Sequence, residues 1–135
     1  MTGAVAQTMP EHLLTLNAGS SSIKFALFDP AASLVVPART GQVDGIGTRS
    51  GPADHDAALA RVLQGLPPDT IRAVGHRVVH GGALFGEPRA IDDAVLADIA
   101  SLTPLAPLHQ PHNLAGVLAA RQAFPGVPQV ACFDT

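Results

Sequence analysis

The stretch Leu13 to Asp29, reading LLTLNAGSSSIKFALFD, constrains this chain more than any other. Two short apolar runs, Leu13 to Leu16 and Ile23 to Phe28, the second rich in β-branched and aromatic residues, read as strands rather than helices. Between them lies Asn17-Ala18-Gly19-Ser20-Ser21-Ser22, which makes the pair a hairpin. Asn and Gly tolerate the positive φ of a tight reversal, and consecutive hydroxyls leave side-chain and backbone donors along the turn. Asn17, Gly19, Ser20 and Ser22 thereby form a candidate cradle for phosphate oxygens. It is not a Walker A loop, because the Gly-x-x-x-x-Gly-Lys-Ser/Thr spacing is absent and a strand follows. Lys24 faces opposite to Ile23 and Phe25 and can reach back toward the turn. The same spacing also fits an ordinary serine-rich hairpin turn with an exposed lysine.

A chain of 135 residues holds one well-cored domain, and 47% hydrophobic with 14% charged residues is the composition of a folded α/β protein. A net charge of −3 without a basic run argues against nucleic acid or an anionic membrane as partner. The single cysteine, Cys132, excludes an internal disulfide. The N-terminus has neither a basic segment nor an unbroken apolar core, and no later run approaches the length of a membrane span, so a cytoplasmic location is expected.

Asp29-Pro30 closes the second strand. Leu34 to Val36 and Ala38 to Val43 read as broken strand, with Gly41 to Gly47 at the edge of the same sheet. Asp54 or Asp56 can cap a helix whose apolar face is Leu59, Val62, Leu63 and Leu66, ended by Pro67-Pro68. Ile71 to His80 is a strand stopped by Gly81-Gly82. Asp92 and Asp93 open a second helix with Val95, Ile99 and Leu102 inward. A third helix follows the proline-rich Thr103 to Pro111, with Leu114, Val117, Leu118 and Arg121 at helical spacing. Val127 to Phe133 is a last strand, apolar enough to be buried on both faces. Hairpin strands first, then strands alternating with helices, predict an α/β fold: a mixed sheet flanked by helices.

Three further places carry chemistry. In Gly75-His76-Arg77-Val78-Val79-His80-Gly81-Gly82, alternation puts Arg77 and Val79 on one face. A guanidinium fork beside a small branched apolar group is a receptor for a short carboxylate, although an arginine there also serves as a structural ion-pair partner. In Leu105 to Asn113, Pro111 can take the first helical position, leaving His109 just ahead of a helix N-terminus, where free backbone donors favour an anion. A rigid proline turn with polar histidines fits the same string. Asp134 ends a strand, a place where carboxylates often face ligands or cap the next loop. Two other functions fit these residues: a divalent metal site of a hydrolase from His80, His109, His112 and Asp134, or a non-catalytic domain that binds a nucleotide or a partner. Pro111 and the lack of a Glu beside either histidine weigh against the metal site.

The string Asn17-Ala18-Gly19-Ser20-Ser21-Ser22-x-Lys24-Phe25 resembles the first signature of the acetate kinase (acetokinase) family, within the actin, sugar-kinase and heat-shock ATPase superfamily. Gly75 to Gly82 resembles the second signature and Leu105 to Asn113 the third, while Phe133-Asp134-Thr135 resembles the start of the family's Phe-Asp-Thr-Ala-Phe-His segment. The resemblance thus runs from Leu13 to the last residue. It implies a ribonuclease-H-like first domain of an actin-like ATPase fold over residues 13–135, after an extension over 1–12. It also implies reversible phosphoryl transfer from ATP to acetate, giving acetyl phosphate and ADP. By the same likeness Arg77 binds substrate and acts in catalysis, Val79 and Leu108 line the acetate pocket, and His109 lies near the phosphoryl group. Asn17 lies near Mg²⁺ and the phosphates, Lys24 contacts ATP, and Asp134 is catalytic. Propionate kinases share these signatures. Full-length members are expected to be homodimers of two-domain chains with the site in the cleft between domains. On that reading this chain is an N-terminal fragment, of little or no activity alone. It departs from many members at Gln110 and His112, and its segment near Thr48 to Pro52 is short for the family.

Overall fold

The computed structural model describes residues 11–66, 68–78, 87–105 and 110–133. The elements run β1 (His12–Ala18), β2 (Ser22–Phe28), β3 (Arg39–Asp44), α1 (His55–Leu63), β4 (Ile71–Val78), β5 (Arg89–Ala90), α2 (Asp93–Ser101), α3 (Gln110–Ala123) and β6 (Gln129–Phe133). One six-stranded sheet takes them in the order β3-β2-β1-β4-β6-β5. β1, β4 and β6 are parallel, whereas β2, β3 and β5 pair antiparallel to their neighbours. The expected mixed sheet is therefore present.

Strand parity decides which side is covered. Leu14, Leu16 and Ala18 of β1, Ile23 and Leu27 of β2, and Val74 of β4 are buried with Ala58, Leu59 and Val62 of α1 and Ala119 and Ala120 of α3. Val78 of β4 and Ala131 of β6 close a smaller cluster with Ile99 and Leu102 at α2. Each fully buried Leu, Ile or Val contributes roughly 1.5–3 kcal/mol, so this layer supplies most of the hydrophobic drive. The three described α-helices all lie on that face. α3 comes so close to β1 that a Cβ at Gly116 would sit 2.8 Å from the Ala18 methyl, which is why a helix-weakening glycine is tolerated there.

Asp54, and not Asp56, caps α1, and Asp92 is the N-cap of α2, one residue outside its first turn. Asp54 accepts from the Ala57 amide at 2.8 Å and Asp92 from the Val95 amide at 2.8 Å, so each carboxylate satisfies a first-turn donor and meets the positive helix end. Ile99 and Leu102 face inward as expected, with Val95 half-buried against them. Leu59 and Val62 are buried, and Leu66 is buried just beyond α1.

Several expectations are corrected. Leu34 to Val36 is an exposed bend, not strand: the Ser33 hydroxyl accepts from the Val35 and Val36 amides at 3.0 and 2.9 Å, so this backbone is satisfied locally. Leu118 is exposed, because α3 turns Val117, Ala119 and Ala120 inward instead. α3 begins at Gln110, which makes Pro111 its second residue rather than its first. β6 is not buried on both faces, since Cys132 is exposed on the side that carries none of the described helices. In the β1–β2 turn neither Asn17 nor Gly19 has positive φ; the Gly19 amide closes the reversal by donating to the Ser22 carbonyl at 2.8 Å.

Candidate functional site

Of the residues singled out for chemistry, the described Asn17, Lys24 and Arg77 share the face of the sheet opposite the described helices, toward the carboxyl ends of its parallel strands. Asn17 and Lys24 are direct cross-strand partners of the hairpin, and their side chains share that face. Arg77 occupies the same face of β4, exposed between the buried His76 and Val78, as alternation predicted. Its direct partner on β6 is Cys132, also exposed. These four side chains surround a depression of about 380 Å³ whose floor includes Thr15, Ala26 and Gly75. The small floor residues leave the space open, so two cations, a carboxamide and a thiol stand around an otherwise apolar hollow.

Such an arrangement suits a small anion with an apolar end. Lys24 offers a point charge and Arg77 a planar fork, which is the better match for a carboxylate or a phosphoryl group. Gly19, Ser20 and Ser22 follow Asn17 closely in the chain but are not among the residues lining the hollow; Ser20 and Ser22 carry hydroxyls, while the Gly19 amide is taken by the Ser22 carbonyl. Val79, Leu108, His109 and Asp134 lie outside the described residues, as do His80 and the pair Gly81-Gly82. Of the four residues considered for a hydrolase metal site, His112 alone is described, and its ring stacks on His55 with centroids 5.4 Å apart. Among the described residues no three His, Cys, Asp or Glu side chains form a metal-holding group.

Behind the site, on the covered face, His76 is buried and its Nε2–H donates to Gln129 Oε1 at 2.6 Å, joining β4 to β6. Burial disfavours the imidazolium and lowers the His76 pKa from 6.5, with the Gln129 hydrogen bond opposing. Sequence reasoning gave no role to two other side chains that touch the turn. His55 Nε2–H donates to the Gly19 carbonyl at 2.7 Å, and Asn113 Nδ2 donates to the Ala18 carbonyl at 2.8 Å. Those partners are 36 and 95 residues apart in the chain, so nothing local in the sequence announces them.

A mixed sheet of this strand order, with helices on it and a ligand-receptive rim at its parallel strand ends, is consistent with the actin, sugar-kinase and heat-shock ATPase superfamily. Similarity to known proteins narrows the class. The sequence profile of the Acetokinase family matches residues 48–135, and the chain belongs to that family. It is 39% identical to an acetate kinase of Methylocella silvestris, over 94% of this chain and 39% of that protein. It is 43% identical to an acetate kinase of Deinococcus radiodurans, over 90% of this chain and 35% of that protein. Among crystal structures, Porphyromonas gingivalis acetate kinase superimposes with a TM-score of 0.87 at 32% identity, covering 93% of this chain and 37% of the other. A propionate kinase from Francisella tularensis gives 0.83 at 33% identity, covering 92% and 37%. The chain thus spans little more than a third of the length of these relatives. No helix among the described residues is long and apolar enough to cross a membrane.

Proposed function

We propose that residues 13–135 form the acetate- and phosphate-binding domain of an acetate kinase, which moves a phosphoryl group reversibly from ATP to acetate to give acetyl phosphate and ADP. The observation that carries this reading is the placement of Asn17, Lys24 and Arg77 around one hollow at the carboxyl ends of parallel strands. The domain is read as the ribonuclease-H-like first half of an actin-like ATPase, preceded by an extension over residues 1–12. Catalysis is assigned to the pairing of this half with a second domain, and the chain alone is expected to turn over little. The homodimer expected of full-length relatives belongs to the same reading.

Acetate is ionised at neutral pH, so transfer needs no strong base; the work is alignment and neutralisation of charge on the phosphoryl oxygens. Arg77 holds the carboxylate through its fork and shares in stabilising the transferring group. Val79 and Leu108 bound the methyl end, and His109 stands near the phosphoryl group. Lys24 contacts ATP, with the Ser20 and Ser22 hydroxyls donating to phosphate oxygens and Gly19, whose amide is taken by the Ser22 carbonyl, shaping the turn that receives them. The described oxygen donors, the Asn17 amide and the serine hydroxyls, fit a Mg²⁺ that arrives on the phosphates of ATP and keeps several waters. When bound, Mg²⁺ supplies neutralisation of phosphate charge. Asp134, the next residue in the chain after β6, orients the metal or Arg77 or carries a proton.

A second reading, propionate kinase, is favoured by the likeness to the Francisella tularensis protein and by the apolar floor of the hollow. The two separate by turnover with acetate against propionate. The shared reading is tested by Arg77→Ala in this sequence joined to the second domain of a two-domain relative. Acetate-dependent turnover is expected to fall by roughly 10²–10³-fold, the scale of losing one donor to transition-state charge. Turnover close to that of the parent would sink the assignment.

A further inference from the structure

We infer that His55 and Asn113 are positioning residues that hold the Asn17–Ser22 turn in its ligand-receiving form, an inference that rests on the kinase reading above. The carbonyls of Ala18 and Gly19 are consecutive, and each accepts a hydrogen bond from a different helix. Asn113, buried in the first turn of α3, takes Ala18; His55, the first residue of α1, takes Gly19. In a planar trans peptide the carbonyl and the amide of one unit point in opposite directions. Drawing the Gly19 carbonyl toward His55 therefore turns the Ser20 amide away from α1. The Ala18 carbonyl is likewise drawn to α3, while the Gly19 amide of the same unit closes the turn onto the Ser22 carbonyl at 2.8 Å. Further along, the Ile46 amide donates to the Ser21 carbonyl at 3.0 Å, so carbonyls 18, 19 and 21 are all engaged by protein donors.

Without these anchors a serine-rich turn samples many conformations, and an anion would have to order it on binding. The two anchors also brace each other. The His55 ring stacks on His112, the residue before Asn113, at 5.4 Å and 22° between planes. α3 begins at Gln110, directly after Leu108 and His109 in the chain. Asn113 thereby ties the phosphate-side turn to the helix that follows the proposed acetate-side segment.

The test uses the 135-residue chain with Asn113→Ala, His55→Phe and His55→Gln, read by residue-resolved amide hydrogen exchange and by Mg·ATP titration. His55→Phe keeps a ring to stack on His112 but has no donor; His55→Gln restores a donor at similar reach. Exchange at Gly19 to Ser22 is expected to rise about tenfold or more in Asn113→Ala and His55→Phe, with β4 and β6 amides unchanged. Mg·ATP affinity is expected to fall about tenfold in the same two variants, and His55→Gln to recover most of both losses. Parental exchange at the turn in His55→Phe overturns the inference. So does a rise spread evenly over β4 and β6, which would mean general stability and not positioning. Should Asn113→Ala lose its fold, the two His55 variants decide alone. If the unsubstituted chain shows no Mg·ATP binding, the titration is made on this sequence joined to the second domain of a two-domain relative, where absence of binding sinks the kinase reading, and the exchange data still decide the role of the anchors.

Discussion

The two faces of the central sheet are built from the same strands and differ only in residue parity. Along β1, Leu14, Leu16 and Ala18 are sealed under α1 and α3, whereas Thr15 and Asn17 line the hollow on the other side. Along β4, Val74, His76 and Val78 are buried, whereas Gly75 and Arg77 face the hollow. The covered face holds the fold, and the bare face holds the groups proposed to meet substrate. A one-residue slip in any strand would exchange the two roles, which is why register matters to function here as much as to stability.

The comparison predicts unequal consequences for neighbouring substitutions. Leu14→Ala removes a fully buried side chain from the main cluster and is expected to cost about 2–5 kcal/mol. Thr15→Ala, one residue away on the bare face, is expected to stay within about 0.5 kcal/mol. Urea unfolding of both variants checks this, and equal losses would break the division between faces.

His76 is the covered face's one buried titratable group among the described residues, and it adds a pH signature. Its folded pKa lies below 6.5, so below that pH the unfolded chain takes up the proton more readily than the folded one. Its contribution is thus complete above the unfolded value and lost as pH falls below it, at no more than about 1.4 kcal/mol per pH unit for one proton. His76→Gln should flatten that limb of the stability profile. An unchanged slope in the variant would assign acid sensitivity elsewhere.

A small effect of the opposite sign is expected at Gly75. A Cβ there would meet only the Thr15 methyl at 3.7 Å, an ordinary contact, so Gly75→Ala should leave stability unchanged or raise it by about 0.4–1 kcal/mol. The same methyl narrows the floor of the hollow, so thermal melts and Mg·ATP titration together sharpen the contrast between holding the fold and holding a ligand.

Much of this was legible in the chain because periodicity is a local property. The hairpin, the opposite facing of Lys24 and Ile23, the exposure of Arg77 between His76 and Val78, and the cap at Asp54 all follow from neighbouring residues. Leu34 to Val36 misled, since apolar character alone does not reveal that Ser33 satisfies the backbone locally between two prolines. β6 misled for a related reason. A continuous apolar run reads the same whether its second face is buried or lines an open hollow.

By itself, then, the sequence determined the hairpin, the two parallel strands that follow it and the three helices, the parity of Lys24 and Arg77, and the resemblance that led to the family, but not the short β5 or the bend at Leu34 to Val36. Tertiary structure alone decided three things: that the described helices all lie on one face, that Asn17 stands opposite Lys24 and Arg77 opposite Cys132, and that His55 and Asn113 reach the Gly19 and Ala18 carbonyls, respectively. The reason is physical. Periodicity is set by backbone geometry within a few residues, whereas register between distant strands and hydrogen bonds across 36 and 95 residues depend on how whole layers pack.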